Sequence, residues 1–285
     1  MKLQMERQKK MKGVIPYFGG KSRLAKTIID KIPEHTCYVE VFAGGASVFF
    51  AKEPSPAEIL NDLDKDLVTL YRVIKHHPEE LYKQYKFSLV SRSEFDREQQ
   101  VNPDTLTDVQ RAARYLYLQK NAFGGHITGQ TFGTSTTGKP RLNLLTLENT
   151  IEDAWKRMIH VTIECKDFRD LITRYDRPHS FFFLDPPYWN IPGYKYDFAD
   201  QDFYDLLDIL KDIKGKFLMT INDTPQVREI FCGFSIEEVT LKYSCSASKA
   251  SRAKLRTEQQ NHIYSLECSN MEGPGRKTNA AGRTW

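Results

Sequence analysis

Asp185-Pro186-Pro187-Tyr188 follows directly on the apolar run Ser180–Leu184. A run of that length reads as a strand buried on both faces inside a parallel sheet. Open α/β sheets bind ligands beyond the carboxyl ends of their strands. Two prolines there stiffen the backbone and remove two N–H donors. The acceptors that remain are the Asp185 carboxylate and the carbonyls of Asp185 and Pro186, and Tyr188 adds a flat ring beside them. Acceptors next to a ring suit a planar substrate carrying an amino group, bonded through its N–H hydrogens and stacked on the aromatic face. The exocyclic amine of a nucleobase has that form.

A second constellation lies earlier in the chain. Residues 38–42 read as a strand, and Ala43-Gly44-Gly45-Ala46 as a tight turn into a helix that begins near Ser47. Glycines at that point let the backbone approach a ligand closely. A further strand, residues 58–62, ends on Asp62, eighteen residues past Gly44, a spacing that suits a carboxylate on ribose hydroxyls. The turn lacks the full G-x-G-x-x-G of dinucleotide enzymes and the G-x-x-x-x-G-K-[ST] of phosphate loops. A nucleotide-like cofactor without phosphates, S-adenosylmethionine, needs neither.

The elements that must position these residues form an interrupted α/β pattern. Residues 22–31 read as a helix with Ser22 as its N-cap. The strand–turn–helix–strand of residues 38–62 is a βαβ unit. From residue 65 to about 160 the periodicity is helical, with segments at 66–75, 78–89, 93–100, 107–119 and 148–158, interrupted by the glycine-rich stretch 121–141. Strands resume at 160–164, 180–184 and 216–220, with helices at 167–174 and 201–211. Residues 234–243 and 261–268 read as a closing antiparallel pair. The expected division is a basic disordered arm at 1–12, a catalytic core at 13–72 and 160–268, an inserted domain at 73–159, and a disordered tail at 269–285.

The net charge of +4 is carried by the ends: residues 1–12 hold five basic and one acidic side chain and residues 270–285 three and one, leaving −2 for residues 13–269. Two internal stretches are nonetheless basic without any acid, 111–141 (Arg111, Arg114, Lys120, Lys139, Arg141) and 242–256 (including Lys249 and Arg252). Local basic surface of this kind is the footprint of phosphate contacts. Five scattered cysteines without a C-x-x-C pair argue against a disulfide framework and a zinc site and for a reducing cytoplasm. No apolar run approaches a membrane span, and no signal peptide opens the chain.

Together these segments resemble the Dam-type DNA adenine-N6 methyltransferase family, in the group whose cofactor motifs precede the target-recognition insertion. The likeness spans about residues 14–268. Pro16-Tyr17-Phe18-Gly19-Gly20-Lys21 is similar to the N-terminal cofactor motif, the segment 40–47 to the glycine turn, and Leu60-Asn61-Asp62 to the ribose acid. Residues 166–169 resemble the segment that holds the cofactor's adenine, Asp185–Tyr188 the catalytic motif, and 220–224 the S-x-N-D-S/T segment. Asn121-Ala122-Phe123-Gly124-Gly125 with Phe132-Gly133 resembles the DNA-contacting loop.

The resemblance implies an α/β, Rossmann-like S-adenosylmethionine-dependent methyltransferase core with a mostly helical target-recognition insertion. It implies a cytoplasmic, bacterial or phage-encoded enzyme acting on double-stranded DNA, without metal or membrane, as a monomer or weak dimer. Asp185, Pro186 and Tyr188 would be catalytic. Tyr17, Gly20, Lys21, Glu40, Phe42, Gly44, Gly45, Asp62, Asp167, Phe168 and Asp185 would hold the cofactor. Arg114, Lys120, Asn121, Gly125, His126, Lys139, Arg141, Lys249 and Arg252 would meet DNA. Tyr194 and Tyr196 would either close over the base or line a loop, and Asp167 would serve the cofactor or cap a helix. Ala46, where many members carry a third glycine, should keep φ below zero. The segment 132–144 departs from the enzymes that read GATC, so the resemblance does not carry over a recognised sequence. The same acceptors could serve cytosine N4, an RNA base or a glutamine amide, and a non-catalytic DNA-binding protein could keep the fold. The intact Gly44, Asp62, Asp185 and Tyr188 favour the enzyme, and the P-Y-F-G-G-K and DNA-loop segments favour adenine in DNA.

Overall fold

A computed structural model describes residues 11, 13–196, 198–239 and 261–265. Lys249, Arg252, the basic stretch 242–256, most of the N-terminal arm and the C-terminal tail lie outside the described residues.

Seven strands form one sheet: β1 (Cys37–Glu40), β2 (Ala57–Asn61), β3 (Thr162–Glu164), β4 (Ser180–Leu184), β5 (Lys216–Asn222), β6 (Ser235–Val239) and β7 (Asn261–Ser265), in the order β3-β2-β1-β4-β5-β7-β6. The first five in that order are mutually parallel, and β7 runs antiparallel between β5 and β6. β4 lies between β1 and β5, and all five of its residues are buried. Its side chains divide between the two faces of the sheet with period two. Phe181 and Phe183 join one apolar cluster, and Phe182 and Leu184 the other. The strand therefore cannot slip by one residue without exchanging the two cores, and Asp185 is held at its tip.

The helices are α1 (Ala25–Ile29), α2 (Ser47–Ala51), α3 (Lys65–His76), α4 (Pro78–Lys83), α5 (Arg92–Gln100), α6 (Asp108–Asn121), α7 (Leu144–Met158), α8 (Phe168–Tyr175), α9 (Asp200–Lys211) and α10 (Pro225–Ile230). α4–α7 form the helical block expected between Asp62 and Asp185. α4, α6 and α7 pack onto α3, and α5 onto α6, and their buried residues (Leu81, Phe95, Leu116, Ile151) belong to the same apolar cluster as Phe181 and Phe183. Ser91 and Thr107 cap α5 and α6, the latter in a reciprocal capping box with Gln110.

Several boundaries differ from the sequence reading. Ser22 lies inside a 3-10 turn (Lys21–Arg23) and caps nothing, and α1 starts only at Ala25. The helix expected over 78–89 stops at Lys83. Tyr85, just past its end, is still buried, but Phe87 and Leu89 are exposed and give a longer helix nothing further to bury. α7 begins four residues earlier than its apolar periodicity suggests, because the Asn143 side chain accepts from Leu145 N–H. α10 was not anticipated, although Thr224 as N-cap and Pro225 at the first position are its ordinary start signal.

Candidate active site

One cleft opens beyond the carboxyl ends of β1, β2 and β4, about 1040 Å³ with its open mouth included. All eleven residues expected to hold the cofactor line it. Asp185 and Pro187 also form its wall, whereas Tyr188 is buried beneath the Lys21 side chain. Residues the sequence reading did not single out line it as well, among them Phe18, Asn61, Asp64, Lys195 and Phe198.

The turn after β1 is built around Tyr17. A Cβ on Gly44 would lie 2.7 Å from the Tyr17 ring, and one on Gly45 2.8 Å from Tyr17 Cβ. Both glycines are thus required by a side chain of the protein itself. Gly44 is left-handed (φ 47°), and so is Ala46 (φ 48°, ψ 38°), contrary to the expectation of a negative φ. An L-residue there costs about 1–2 kcal/mol. The conformation persists because Ala46 N–H donates to Ala43 O (2.7 Å) and the turn must deliver α2 at a fixed angle.

Ala46 has no side chain to cap α2. Glu40, at the end of β1, lies near the first turn of α2, where the Phe49 amide favours its charged form, and accepts from the Tyr38 hydroxyl (2.8 Å). Burial lifts the Glu40 carboxyl to about 8; the Asp185 charge adds to this, and Tyr38, Lys52 and the Phe49 amide oppose it. Tyr71 faces the same carboxyl from α3. Because the folded state holds this proton at pH values where the unfolded chain has lost it, Glu40 removes stability as pH rises from about 4.5 to about 8. Glu40→Gln keeps a hydrogen-bonding group beside Tyr38 and removes the titration. Its melting temperature should exceed the wild type's by several degrees at pH 8, and the two should converge near pH 4.5. A difference independent of pH would show that Glu40 does not titrate in this range.

Asp62 follows β2. One carboxylate oxygen accepts from Gly44 N–H (2.9 Å) and the other from Asp64 N–H (2.8 Å), so a second lone pair on each remains for a ligand. Burial raises its pKa to about 6 against these two bonds. Asn61 ties three strand ends together, donating to Val41 O and Lys166 O and accepting from Lys166 N–H. Asp167 serves both readings at once: it caps α8 through Arg169 N–H (2.9 Å) and lines the cleft. Phe168 is likewise both core and wall, 5.8 Å from the Phe42 ring and 5.4 Å from Phe198.

At Asp185 the sequence reading missed the neighbours. Lys21 Nζ lies 2.6 Å from each carboxylate oxygen, also donates to Gly19 O (2.8 Å), and sits 4.8 Å from the Tyr188 ring centroid. Thr220, at the tip of β5, donates its hydroxyl to Asp185 Oδ1 (2.7 Å). Burial raises the Asp185 pKa, and Lys21 and Thr220 hold it down. Asn222 fixes the chain after Tyr188 by accepting from Trp189 N–H (2.9 Å) and donating to Trp189 O (3.1 Å). Its place in the S-x-N-D-S/T-like segment was the only sequence signal for it. Tyr194 lines the cleft with its hydroxyl near Gly19, and Tyr196 lines it while remaining partly exposed.

The residues expected to meet DNA separate into two groups. Arg114 turns inward, donating to the Glu98 and Gln99 carbonyls at the end of α5. Asn121 is buried and donates to Tyr117 O. Arg111 is held by Asp66 and Asp104. Arg114 and Asn121 were expected at DNA, and Arg111 belongs to the same basic stretch; in the fold the donors of all three satisfy backbone or carboxylate acceptors of the protein itself. Gly125 is buried with its carbonyl bonded, and burial lowers the pKa of the half-buried Lys120. His126 stacks on Phe18 (5.0 Å, 22°). Lys139 and Arg141 are exposed.

A parallel sheet closed by an inserted antiparallel strand, with a glycine turn, an acid after β2 and Asp-Pro-Pro-Tyr after β4 all on one cleft, defines a Rossmann-like methyltransferase. Comparison with known proteins narrows the class. The chain belongs to the family described as D12 class N6 adenine-specific DNA methyltransferase, which matches residues 17–245. It is 29% identical to the Type II methyltransferase M.CviBI of Paramecium bursaria Chlorella virus NC1A over 239 residues, covering 82% of this chain and 91% of that protein. It is 27% identical to the Type II methyltransferase M1.LlaDCHI of Lactococcus lactis subsp. cremoris (83% and 90%). It is 25% identical to the DNA adenine methylase of Escherichia coli strain K12 (87% and 94%). Membership makes the chain an adenine-specific DNA methyltransferase. Among the described residues no helix is long and apolar enough to cross a membrane.

Proposed function

We propose that the cleft holds S-adenosylmethionine and that Asp185-Pro186-Pro187-Tyr188 presents to it the N6 amine of an adenine extruded from double-stranded DNA. What carries this reading is that the Asp185 carboxylate shares one cleft with Gly44 and Asp62, although these residues are far apart in sequence.

The residues fit such a cofactor. Asp62 has free lone pairs for two ribose hydroxyls, the aromatic wall of Phe42, Phe168 and Phe198 suits a purine, and the Asp185 carboxylate supplies negative charge for a cation. When bound, S-adenosylmethionine supplies a methyl group on a positively charged sulfur. An adenine inside the duplex cannot reach the cleft, so it is flipped out at a cost of a few kcal/mol, about that of unstacking one base. Tyr188 stacks on it, which requires the Lys21 ammonium to leave the ring face. The Asp185 carboxylate and the Pro186 carbonyl accept the two N6–H bonds, drawing the amine towards sp³ geometry and freeing its lone pair. Thr220 and Lys21 orient the carboxylate, and the raised pKa of Asp185 lets it hold the proton that N6 gives up. Most of the rate then comes from orientation and from fixed acceptors facing developing positive charge.

Residues 73–159 act as the target-recognition insertion on the core formed by 13–72 and 160–268, and the protein works as a monomer or weak dimer. On the insertion, the exposed Lys139 and Arg141 meet phosphates, together with Lys120 and His126, and Lys249 and Arg252 of the second basic stretch do the same. Phosphate contacts position the protein without specifying sequence. Changing Lys139 and Arg141 together to alanine should weaken DNA binding and flatten the slope of log K against log salt by about two. An unchanged slope would remove both residues from the DNA face. The function itself is tested by mass spectrometry of nucleosides from DNA of cells expressing the chain. N6-methyladenine supports the reading, whereas N4-methylcytosine or unmodified DNA overturns it.

A further inference from the structure

Gln119, in the last turn of α6, is fully buried, and no element of the proposed chemistry uses it. Its Nε2 donates to two carbonyls from separate parts of the chain: Pro16 O (2.9 Å) and Gly125 O (2.8 Å). Its Oε1 accepts from Gln130 Nε2 (3.0 Å), which also donates to His126 O (2.9 Å). The Gly125 carbonyl accepts in addition the Phe18 N–H (2.9 Å). A buried amide with three hydrogen bonds is expensive to disturb, since each carbonyl it leaves must be desolvated without a partner.

What it joins matters more than its burial. On one side is the segment Pro16–Lys21, whose Tyr17 ring lies against Gly44 and Gly45 and whose Lys21 holds Asp185. On the other is the loop from Phe123 to Gln130, which begins within the segment that resembles the family's DNA-contacting loop and carries His126, set against DNA in the proposed function. The two backbones touch: a Cβ on Gly125 would stand 3.3 Å from Pro16 C and Tyr17 N. His126 stacked on Phe18 adds a side-chain contact between them. The loop cannot shift onto a ligand without carrying the Gly125 carbonyl, and with it the segment that packs the glycine turn and reaches the catalytic carboxylate.

We propose that Gln119 is a positioning residue through which engagement of DNA by the 123–130 loop tightens the cofactor cleft, so that DNA and cofactor bind with positive coupling. This rests on the reading of that loop as DNA-contacting. Coupling between two sites is reciprocal and of order five-fold or more when carried by a packed, hydrogen-bonded connection.

The test is a binding cycle by calorimetry, with S-adenosylhomocysteine as the probe, measured with and without a duplex that the wild type methylates. The duplex should tighten the probe about five-fold or more in the wild type. In Gln119→Met, which keeps the side-chain length but has no donor, that ratio should fall to within about two-fold of unity, while binding of the probe alone stays within about two-fold of wild type. A wild-type ratio retained in the variant overturns the proposal. So does a loss of probe affinity without DNA that matches the loss with it, since that marks a purely local structural role. If thermal melting shows Gln119→Met unfolded, Gln130→Met decides: it removes only the bonds to Gln119 Oε1 and His126 O, and an unchanged ratio overturns the proposal. A wild-type protein that methylates no adenine defeats the functional reading instead; one that methylates without coupling defeats this inference alone.

Discussion

Asp185→Ala should lower kcat for methyl transfer about 10³-fold or more, equivalent to roughly 4 kcal/mol of lost transition-state stabilisation. The variant removes the acceptor for one N6–H, the local negative charge, and the group placed to hold the departing proton. Binding should survive. S-adenosylhomocysteine and DNA affinities are expected within a few-fold of wild type, because Asp62 and the aromatic wall of the cleft are untouched, as are the exposed cations of the insertion. Single-turnover kinetics with separate calorimetric titrations check both halves. Near-normal turnover would remove Asp185 from the chemistry. A parallel loss of cofactor binding would instead assign its carboxylate to holding the ligand. Lys21 loses its partner in this variant, so a melting curve must accompany the kinetics; a folded, cofactor-binding, inactive protein is the expected result.

The second large effect lies lower on the sheet than the chemistry, where Glu58 of β2 stands opposite Tyr38 of β1. Arg157, near the end of α7, is buried and meets Glu58 of β2 through two hydrogen bonds (2.5 and 2.9 Å). It also donates to Phe49 O (2.9 Å), with its guanidinium 3.6 Å from the Phe49 ring centroid. Lys52 Nζ lies 2.5 Å from the same carboxylate. Burial alone would raise the Glu58 pKa, but Arg157 and Lys52 bring it below the usual carboxylate value. Arg157→Ala leaves the Glu58 charge short of a partner, orphans the Phe49 carbonyl and opens a cavity. We expect a loss of about 3–5 kcal/mol, read as a lower urea midpoint at unchanged m value. A loss below about 1 kcal/mol would show that the pair is solvated in solution. Replacing Lys52, Glu58 and Arg157 together by apolar residues of similar volume should cost far less, because no buried charge is then left alone. This cluster joins the helical insertion to the sheet that carries the glycine turn, so its loss should lower DNA-dependent activity through stability rather than chemistry.

These two sites differ in how far they could be read in advance. Asp185 was legible because local pattern is enough: an unbroken apolar run must be a strand buried on both faces, and whatever ends it must stand at the sheet's ligand-binding edge. Gly44 and Asp62 were legible for the same reason, as were α3, α5, α6 and α8, whose caps and apolar spacing act within a few residues. Arg157 with Glu58 was not, since the partners are 99 positions apart.

The amino-acid sequence alone thus determined most of the order of strands and helices and the acceptor-rich tip after β4, consequences of short-range periodicity and turn stereochemistry, and its motifs carried the resemblance that implied the class of chemistry. Only the tertiary structure decided which polar groups remain available. It turned Arg114 and Asn121 inward, laid Lys21 across Asp185 and Tyr188, buried Glu40 against Tyr38, forced Ala46 into a left-handed turn and made Gln119 a junction. A donor or charge has the same one-letter code whether it faces water or a carbonyl a hundred residues away. The cost of leaving a buried polar group unpaired settles which it does, and that cost exists only once the chain has folded.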